Sequence, residues 1–153
     1  MHQDYLYVIG GLSANQAQSE IYYTKVASDG TIDYWARAWP LPDAVFYHTV
    51  VKNNKRLIVI GGKKNDTETS QQIYMSTIDT NGALSQWLTL PSLPAPFSRF
   101  AAVATPLTAL ATPQYSTQAI HVLGGLHEEK SRKQVYYSLF RLYTFYLPVV
   151  LQQ

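Results

Sequence analysis

Short apolar runs separated by polar turns dominate the chain, and three of these runs end in two consecutive glycines. They are the segments YLYVIGG at 5–11, LIVIGG at 57–62 and AIHVLGG at 119–125. A short apolar, β-branched run of this kind predicts a buried strand, and a glycine doublet predicts a sharp turn or a close approach of other backbone. No window has the 3.6-residue apolar periodicity of an amphipathic helix. The pattern therefore predicts an all-β protein.

A fixed series of landmarks follows each of the first two glycine doublets. A tyrosine comes first, then an Asp-Gly or Asn-Gly pair, then a tryptophan five residues later, then a proline after seven more. In order, the landmarks are Tyr22, Gly30, Trp35 and Pro42 in the first copy and Tyr74, Gly82, Trp87 and Pro94 in the second. Asp-Gly and Asn-Gly favour type I′ hairpin turns, in which both central residues have positive φ. Because four landmarks keep one spacing twice, the chain is an internal repeat.

Each repeat unit predicts four short strands. In the second unit they fall near 46–52, 56–61, 72–78 and 84–90. Four antiparallel strands in a unit of about 50 residues form a propeller blade. The third unit is longer, because an insertion rich in threonine and proline separates Val103 from Ala119. Such an insertion predicts a loop, and repeat proteins place loops of this kind on one face, which is often the binding face.

With these landmarks in order, residues 5 to 138 resemble the kelch repeat family, and the turn just before the tryptophan is similar to kelch-like repeats of bacterial proteins. The resemblance implies a kelch-type β-propeller of six or seven blades. This chain carries about two and a half four-stranded antiparallel blades, so we expect a piece of a larger propeller and not a closed ring. An open ring exposes apolar blade faces, so self-association through these faces is one expected outcome.

The repeat also predicts a division of the chain. Residues 1–138 are the partial propeller, with blade parts at 1–44, 45–96 and 97–138, and residues 139–153 are an atypical apolar extension. In the extension the polar turn, glycine and tryptophan of the repeat are missing.

Composition narrows the function classes. A net charge of +2 without a basic cluster argues against nucleic-acid binding. The chain has no cysteine, which excludes disulfides and thiolate metal sites. No apolar stretch approaches the ~20 residues of a membrane span, and the N-terminus lacks the pattern of a signal peptide. The compartment is therefore undetermined, with the cytoplasm as the default.

Several chemically distinctive residues are predicted to be structural. The repeated tryptophans Trp35 and Trp87 are expected to pack between blades and not to bind sugars, and the repeated tyrosines Tyr22, Tyr74 and Tyr136 are expected to do the same. His121 is predicted to lie in a strand, and the segment starting at His127 in a loop. No metal site and no cofactor are predicted, and the Lys63-Lys64 pair is interpreted as a solvated turn.

The resemblance also implies a binding surface. In kelch propellers, residues at the mouth of the innermost strand line the central face where ligands or partner peptides bind. The positions that match in this chain are Tyr47, His48, Ser98 and Arg99.

Two functions remain open. The absence of a catalytic signature favours a non-enzymatic scaffold that binds a protein or a carbohydrate through its loop face. The alternative, implied by the resemblance, is a carbohydrate-active kelch enzyme such as a sialic-acid mutarotase. A galactose-oxidase-like site is excluded, because its tyrosine–cysteine copper centre needs a cysteine.

Overall fold

The computed structural model describes residues 5–32, 34–106, 117–128, 130–131, 135–141 and 150–152, and these residues form strands, bridges and turns only. The strands are β1 (Tyr5–Ser13), β2 (Gln16–Lys25), β3 (Ala36–Arg37), β4 (Thr49–Asn53), β5 (Arg56–Ile60), β6 (Ile73–Thr77), β7 (Leu88–Leu90), β8 (Ala101–Pro106), β9 (Thr117–Leu123), β10 (Leu126–His127), β11 (Lys130–Ser131), β12 (Val135–Arg141) and β13 (Val150–Gln152). Within the described ranges, no helix could cross a membrane. The prediction of an all-β fold is confirmed.

Three consecutive antiparallel sheets make up the fold. Blade 1 contains β1, β2 and β3, blade 2 contains β4 to β7 in sequence order, and blade 3 has the order β8, β9, β12, β13. The small hairpin of β10 and β11 lies between the second and third strands of blade 3. The predicted propeller blades are confirmed, and the described sheets do not close into a ring.

Two strands of blade 2 are shorter than the repeat pattern predicts. The innermost strand was expected from residue 46 and begins at Thr49, because Tyr47 has a left-handed backbone with φ of 54° that cannot continue a strand. The outermost strand was expected from residue 84 and begins at Leu88. Leu84 makes only an isolated bridge to Ile78.

The turns that contain Asp-Gly and Asn-Gly differ from the predicted type I′. Only the glycine of each pair, Gly30 or Gly82, has a positive φ, with values of 84° and 78°. The carboxylate of Asp79 accepts hydrogen bonds from the backbone N–H groups two and four positions later, at 2.8 and 2.9 Å. This side chain stabilises a longer turn that ends in a left-handed glycine. The two-residue turn with two positive φ values occurs instead at Ala14 and Asn15, between β1 and β2.

The glycine doublets join neighbouring blades. The backbone N–H of Gly11 donates to the carbonyl of Val45 at 2.9 Å, and the N–H of Gly62 donates to the carbonyl of Phe97 at the same distance. Each acceptor lies at the start of the next blade. A Cβ atom on Gly61 would lie 2.6 Å from that carbonyl of Phe97. The first glycine of each of these two doublets therefore has no room for a side chain, because the next blade occupies that space.

Two apolar clusters fill the spaces between blades. The first lies between blades 1 and 2 and contains Ile21, Leu41, Val45, Leu57, Val59, Tyr74, Leu84 and Trp87. The second lies between blades 2 and 3 and contains Val51, Ile58, Ile60, Leu93, Phe97, Phe100, Ile120 and Val122. The buried apolar surface is thus mostly shared by two blades, so that each blade depends on its neighbour for stability.

Two predicted features of the C-terminal third lie partly outside the described residues. Most of the insertion, residues 107–116, lies outside them, while its flanking strands β8 and β9 pair as far as Pro106 and Gln118. The boundary predicted after residue 138 falls inside β12, which continues to Arg141. β13 pairs with β12 at the outer position of blade 3. The division into a propeller and an extension stays a prediction.

Candidate binding surface

Two of the four candidate residues, Tyr47 and Arg99, lie just before the innermost strands of blades 2 and 3. β4 and β8 lie side by side, and the hydroxyl of Thr49 donates to the carbonyl of Phe100 at 2.6 Å across the junction. Tyr47 and Arg99 precede these strands by two residues, and both have a φ of 54°. A left-handed backbone costs about 1–2 kcal/mol for a residue with a side chain. The same unfavourable conformation is therefore maintained at equivalent positions of adjacent blades.

Tyr47 and Arg99 form a stacked pair across this junction. The backbone N–H of Arg99 donates to the carbonyl of Tyr47 at 3.0 Å. The guanidinium carbon lies 4.2 Å from the centre of the tyrosine ring, within the range of a cation–π contact. The Tyr47 side chain is 46% exposed, and Arg99 is exposed as well. Among the described residues, Arg99 has no carboxylate partner, so its N–H donors face solvent.

The other two candidates, Ser98 and His48, are less exposed. Ser98 is 1% exposed, and its backbone forms a two-way bridge with Leu126. His48 packs under the glycine doublets, where a Cβ on Gly62 would lie 2.8 Å from its own Cβ. Nδ1 of His48 is buried with no hydrogen-bond partner among the described residues. Tyr47 and Arg99 are exposed, His48 is half-buried and Ser98 is buried, and the role of all four as contact residues stays a prediction.

His48 makes the junction of blades 1 and 2 sensitive to acid. Burial lowers the pKa of His48, and the nearby backbone of Ile9 and Val45 offsets only part of this effect. The unfolded state then binds a proton more readily, so stability is constant well above the ordinary His pKa of about 6.5 and falls as pH drops below it.

We expect His48→Phe to remove this loss, because the equivalent residue of blade 3 is the well-packed Phe100. The difference in unfolding free energy between wild type and variant should grow by at most about 1.4 kcal/mol per pH unit below pH 6.5. Urea titrations of both proteins from pH 8 to pH 5 measure it. Parallel pH profiles would contradict the assignment.

Sequence reasoning missed a polar cluster at the start of blade 2. The hydroxyl of Tyr74 donates to Oδ2 of Asp43 at 2.7 Å, and Nζ of Lys64 lies 3.0 Å from the same oxygen. Burial alone would raise the pKa of Asp43, but these two donors outweigh burial and lower it. Burial and the bond to Asp43 raise the pKa of Tyr74. The sequence did contain a signal for this cluster, which is a departure from the repeat: the Leu-Pro pair is followed by Asp43 in one unit and by Ala95 in the next.

The lysine pair and the aromatic landmarks have structural positions. Lys63 is 7% exposed and its backbone bridges Phe46, so the prediction of a solvated turn is wrong for this residue. Trp87 is buried between blades 1 and 2, and its indole N–H donates to the carbonyl of Trp39 at 3.0 Å. Trp35, at the equivalent position of blade 1, is 44% exposed. The side chain of Tyr136 lies outside the described residues, and Tyr22 is half-buried.

The remaining histidines are held by neighbours. Nε2 of His121 lies 3.0 Å from the hydroxyl of Thr105, and Nδ1 of His127 lies 2.8 Å from the carbonyl of Pro96. His127 belongs to strand β10 and not to the predicted loop. In the part of the chain that the structure describes, no three His, Asp or Glu side chains are grouped so that they could hold a metal ion.

Comparison with known proteins supports the kelch assignment. No family model matches the chain. Kelch-like protein 40b of Danio rerio is 35% identical over 66 residues, which is 43% of this chain and 10% of that protein. The solved structure of YjhT matches with a TM-score of 0.51 and 13% identity, over 79% of this chain and 36% of that one.

The chain thus matches about a tenth of the length of the first relative and about a third of the second. The YjhT likeness shows the fold alone, and the Danio rerio relative adds likeness in sequence. Together with the repeated landmarks and the glycine-linked blades, these findings support a kelch-repeat β-propeller assignment for the chain.

Proposed function

We propose that the chain is a non-enzymatic binding module, which contacts a protein or glycan partner through the surface centred on Tyr47 and Arg99. The observation that carries the proposal is the stacked pair itself. Two adjacent blades bring an exposed phenol ring and an exposed guanidinium within 4.2 Å, on backbone held in a left-handed conformation. Backbone strain of this kind clusters at sites of ligand binding, where the surrounding structure maintains it.

The chemistry of the pair suits recognition better than proton transfer. Arginine stays charged in proteins and offers a planar set of donors that matches a carboxylate. Tyrosine supplies a rigid apolar surface at low entropic cost, and both residue types are enriched where binding energy concentrates. We therefore expect a partner group that combines a carboxylate with an apolar or sugar-ring surface.

Arrays of acidic peptides and of acidic glycans, probed with the purified chain, test the proposal. We expect binding that weakens about tenfold or more in Arg99→Ala and in Tyr47→Ala, because each removes one member of a contact centre. Arg37→Ala is a matched control, since Arg37 is also exposed and lies 5.7 Å from the ring of Tyr22, away from this surface. A loss of binding that is equal in all three variants, or no loss in any, would argue against this surface.

A further inference from the structure

The backbone just before Tyr47 and just before Arg99 is bound in the same way. In blade 2 the residue before Tyr47 exchanges two backbone hydrogen bonds with Lys63, at 2.7 and 2.9 Å. In blade 3 the residue before Arg99 exchanges two with Leu126, at 2.8 and 3.0 Å. Lys63 and Leu126 are the first residues after the glycine doublets of the two blades. Tyr47 and Arg99 are therefore each anchored, one position upstream, to the loop that follows the doublet of the same blade.

A side chain of each loop also reaches back to the linker that enters the blade. It belongs to the second residue after the doublet, which is Lys64 in blade 2 and His127 in blade 3. Nζ of Lys64 lies 3.0 Å from Oδ2 of Asp43, and Nδ1 of His127 lies 2.8 Å from the carbonyl oxygen of Pro96. Asp43 and Pro96 lie in the linkers that lead into blades 2 and 3. These two interactions are named the linker contacts of blade 2 and blade 3.

The two linker contacts occupy equivalent places and differ in chemistry. In blade 2 the contact is an ion pair, whose side chains are 31% and 32% exposed. In blade 3 it is a hydrogen bond to a carbonyl oxygen, which only accepts, so Nδ1 of His127 is the donor. The imidazole also lies 5.5 Å from the ring of Phe97. Lysine and histidine share a donor at the end of the side chain, so what the two blades have in common is the attachment of the linker to the loop.

The acceptor of the blade 2 contact is itself held in place. The hydroxyl of Tyr74, in β6, donates to the same oxygen of Asp43 at 2.7 Å. Burial opposes the charge on Asp43, but the bonds from Tyr74 and Lys64 lower its pKa. The bond to Asp43 raises the pKa of Lys64, and Oε1 of Glu68 lies 3.4 Å from its Nζ. The contact therefore joins the linker, the loop and a strand of the sheet while both partners stay charged.

The backbone at Tyr47 and Arg99 needs such an attachment. Both residues have a φ of 54°, which is unfavourable for a residue with a side chain. An extended conformation is the relaxed alternative, and it would lengthen β4 and β8 toward the linkers. A linker that is attached to the loop cannot move with a lengthening strand. Strained backbone persists where the surrounding structure holds it in this way.

We propose that Lys64 and His127 are positioning residues for the surface centred on Tyr47 and Arg99. Each attaches the linker of its blade to the loop, so that the phenol ring and the guanidinium meet. The purpose of this positioning rests on the proposed function, but the positioning itself can be measured without a partner. Loss of either linker contact lets one residue of the pair relax and separates the ring from the guanidinium.

The NMR signal of the Arg99 Nε–H measures the separation, because the ring of Tyr47 shifts it. Tyr47→Leu gives the position of the signal without the ring. We expect Lys64→Met and His127→Phe each to move the signal most of the way to that position, since each removes the donor and keeps similar bulk. Lys64→Arg keeps a cation and should keep the wild-type signal. Arg37→Met is the matched control, because it removes an exposed cation of blade 1.

A wild-type signal in both Lys64→Met and His127→Phe overturns the proposal, since the backbone bridges would then hold the pair unaided. A wild-type signal in one of them overturns it for that residue. Urea unfolding of each variant separates a local shift from loss of the fold. If Lys64→Met does not fold, Asp43→Asn replaces it, because this variant removes the same ion pair from the other side and keeps the shape of the side chain.

Binding distinguishes the positioning from the proposed function. An acidic peptide or glycan that binds wild type should bind about tenfold more weakly to Lys64→Met and to His127→Phe, with affinity restored in Lys64→Arg. Full affinity in both donor-deleting variants would contradict the proposal. If no arrayed ligand binds wild type, the proposed function fails, while the Arg99 signal still decides whether Lys64 and His127 position the pair.

Discussion

The Gly62→Ala variant is expected to lose about 3 kcal/mol of unfolding free energy, from a strained backbone together with an overpacked junction. Gly62 has a φ of 99°, which L residues rarely adopt. An added Cβ would lie 2.8 Å from the carbonyl oxygen of Phe46 and 2.8 Å from Cβ of His48. Neither neighbour is the free end of a flexible side chain, so the strand start of blade 2 would have to move.

Gly11→Ala is the matched control for this prediction. Gly11 holds the same place in the doublet of blade 1 and has a φ of 110°, but nothing lies within 4 Å of its added Cβ. It should lose only about 1–2 kcal/mol, the cost of the backbone conformation. Urea unfolding of both variants under the same conditions measures the difference. Equal losses of unfolding free energy would mean that the close contacts at Gly62 add nothing to the cost of the substitution.

The Phe97→Ala variant is expected to lose about 3–5 kcal/mol, the range for deleting a fully buried aromatic ring. Phe97 is 1% exposed in the cluster between blades 2 and 3, and its ring lies 5.5 Å from that of His127. The variant keeps the backbone carbonyl that accepts the hydrogen bond from Gly62. The loss therefore reports side-chain packing between the blades and not the backbone link.

Leu88→Ala is the comparison for Phe97→Ala, because Leu88 is 60% exposed on the outermost strand of blade 2. Its effect should stay within about 0.5 kcal/mol. We expect Phe97→Ala to lower stability without splitting the unfolding transition, since neighbouring blades share their core. A loss below 1 kcal/mol would show that blades 2 and 3 are not packed through this residue.

The glycine doublets illustrate how far the sequence predicts the fold. Two adjacent glycines at the end of an apolar run predicted a close backbone approach, and the structure confirms it. The sequence could not say which segment approaches. The approaching carbonyls of Val45 and Phe97 belong to the next blade, and contacts between blades depend on packing that no local pattern encodes.

For a similar reason, the sequence predicted only part of the candidate surface. Equivalence in the repeat identified Tyr47 and Arg99, but only the side-by-side placement of β4 and β8 brings ring and guanidinium into contact. The resemblance also made His48 and Ser98 contact candidates, but His48 is half-buried and Ser98 is buried. The left-handed backbone at Tyr47 and Arg99 interrupts the two-residue alternation of a strand, so that the adjacent side chains are less exposed than this pair.

By itself, the sequence determined the repeat, the all-β blades and the approximate positions of the strands within a blade, because strand patterns and glycine doublets are local properties that recur at a constant spacing. The tertiary structure decided which apolar residues are buried. Leu6 and Leu57 have the same pattern around them, yet one is 44% exposed and the other 5%, because within the described residues a neighbouring blade packs against Leu57 and not against Leu6. Burial at these positions depends on the neighbouring blade and not on the residue, and a local sequence pattern does not contain that information.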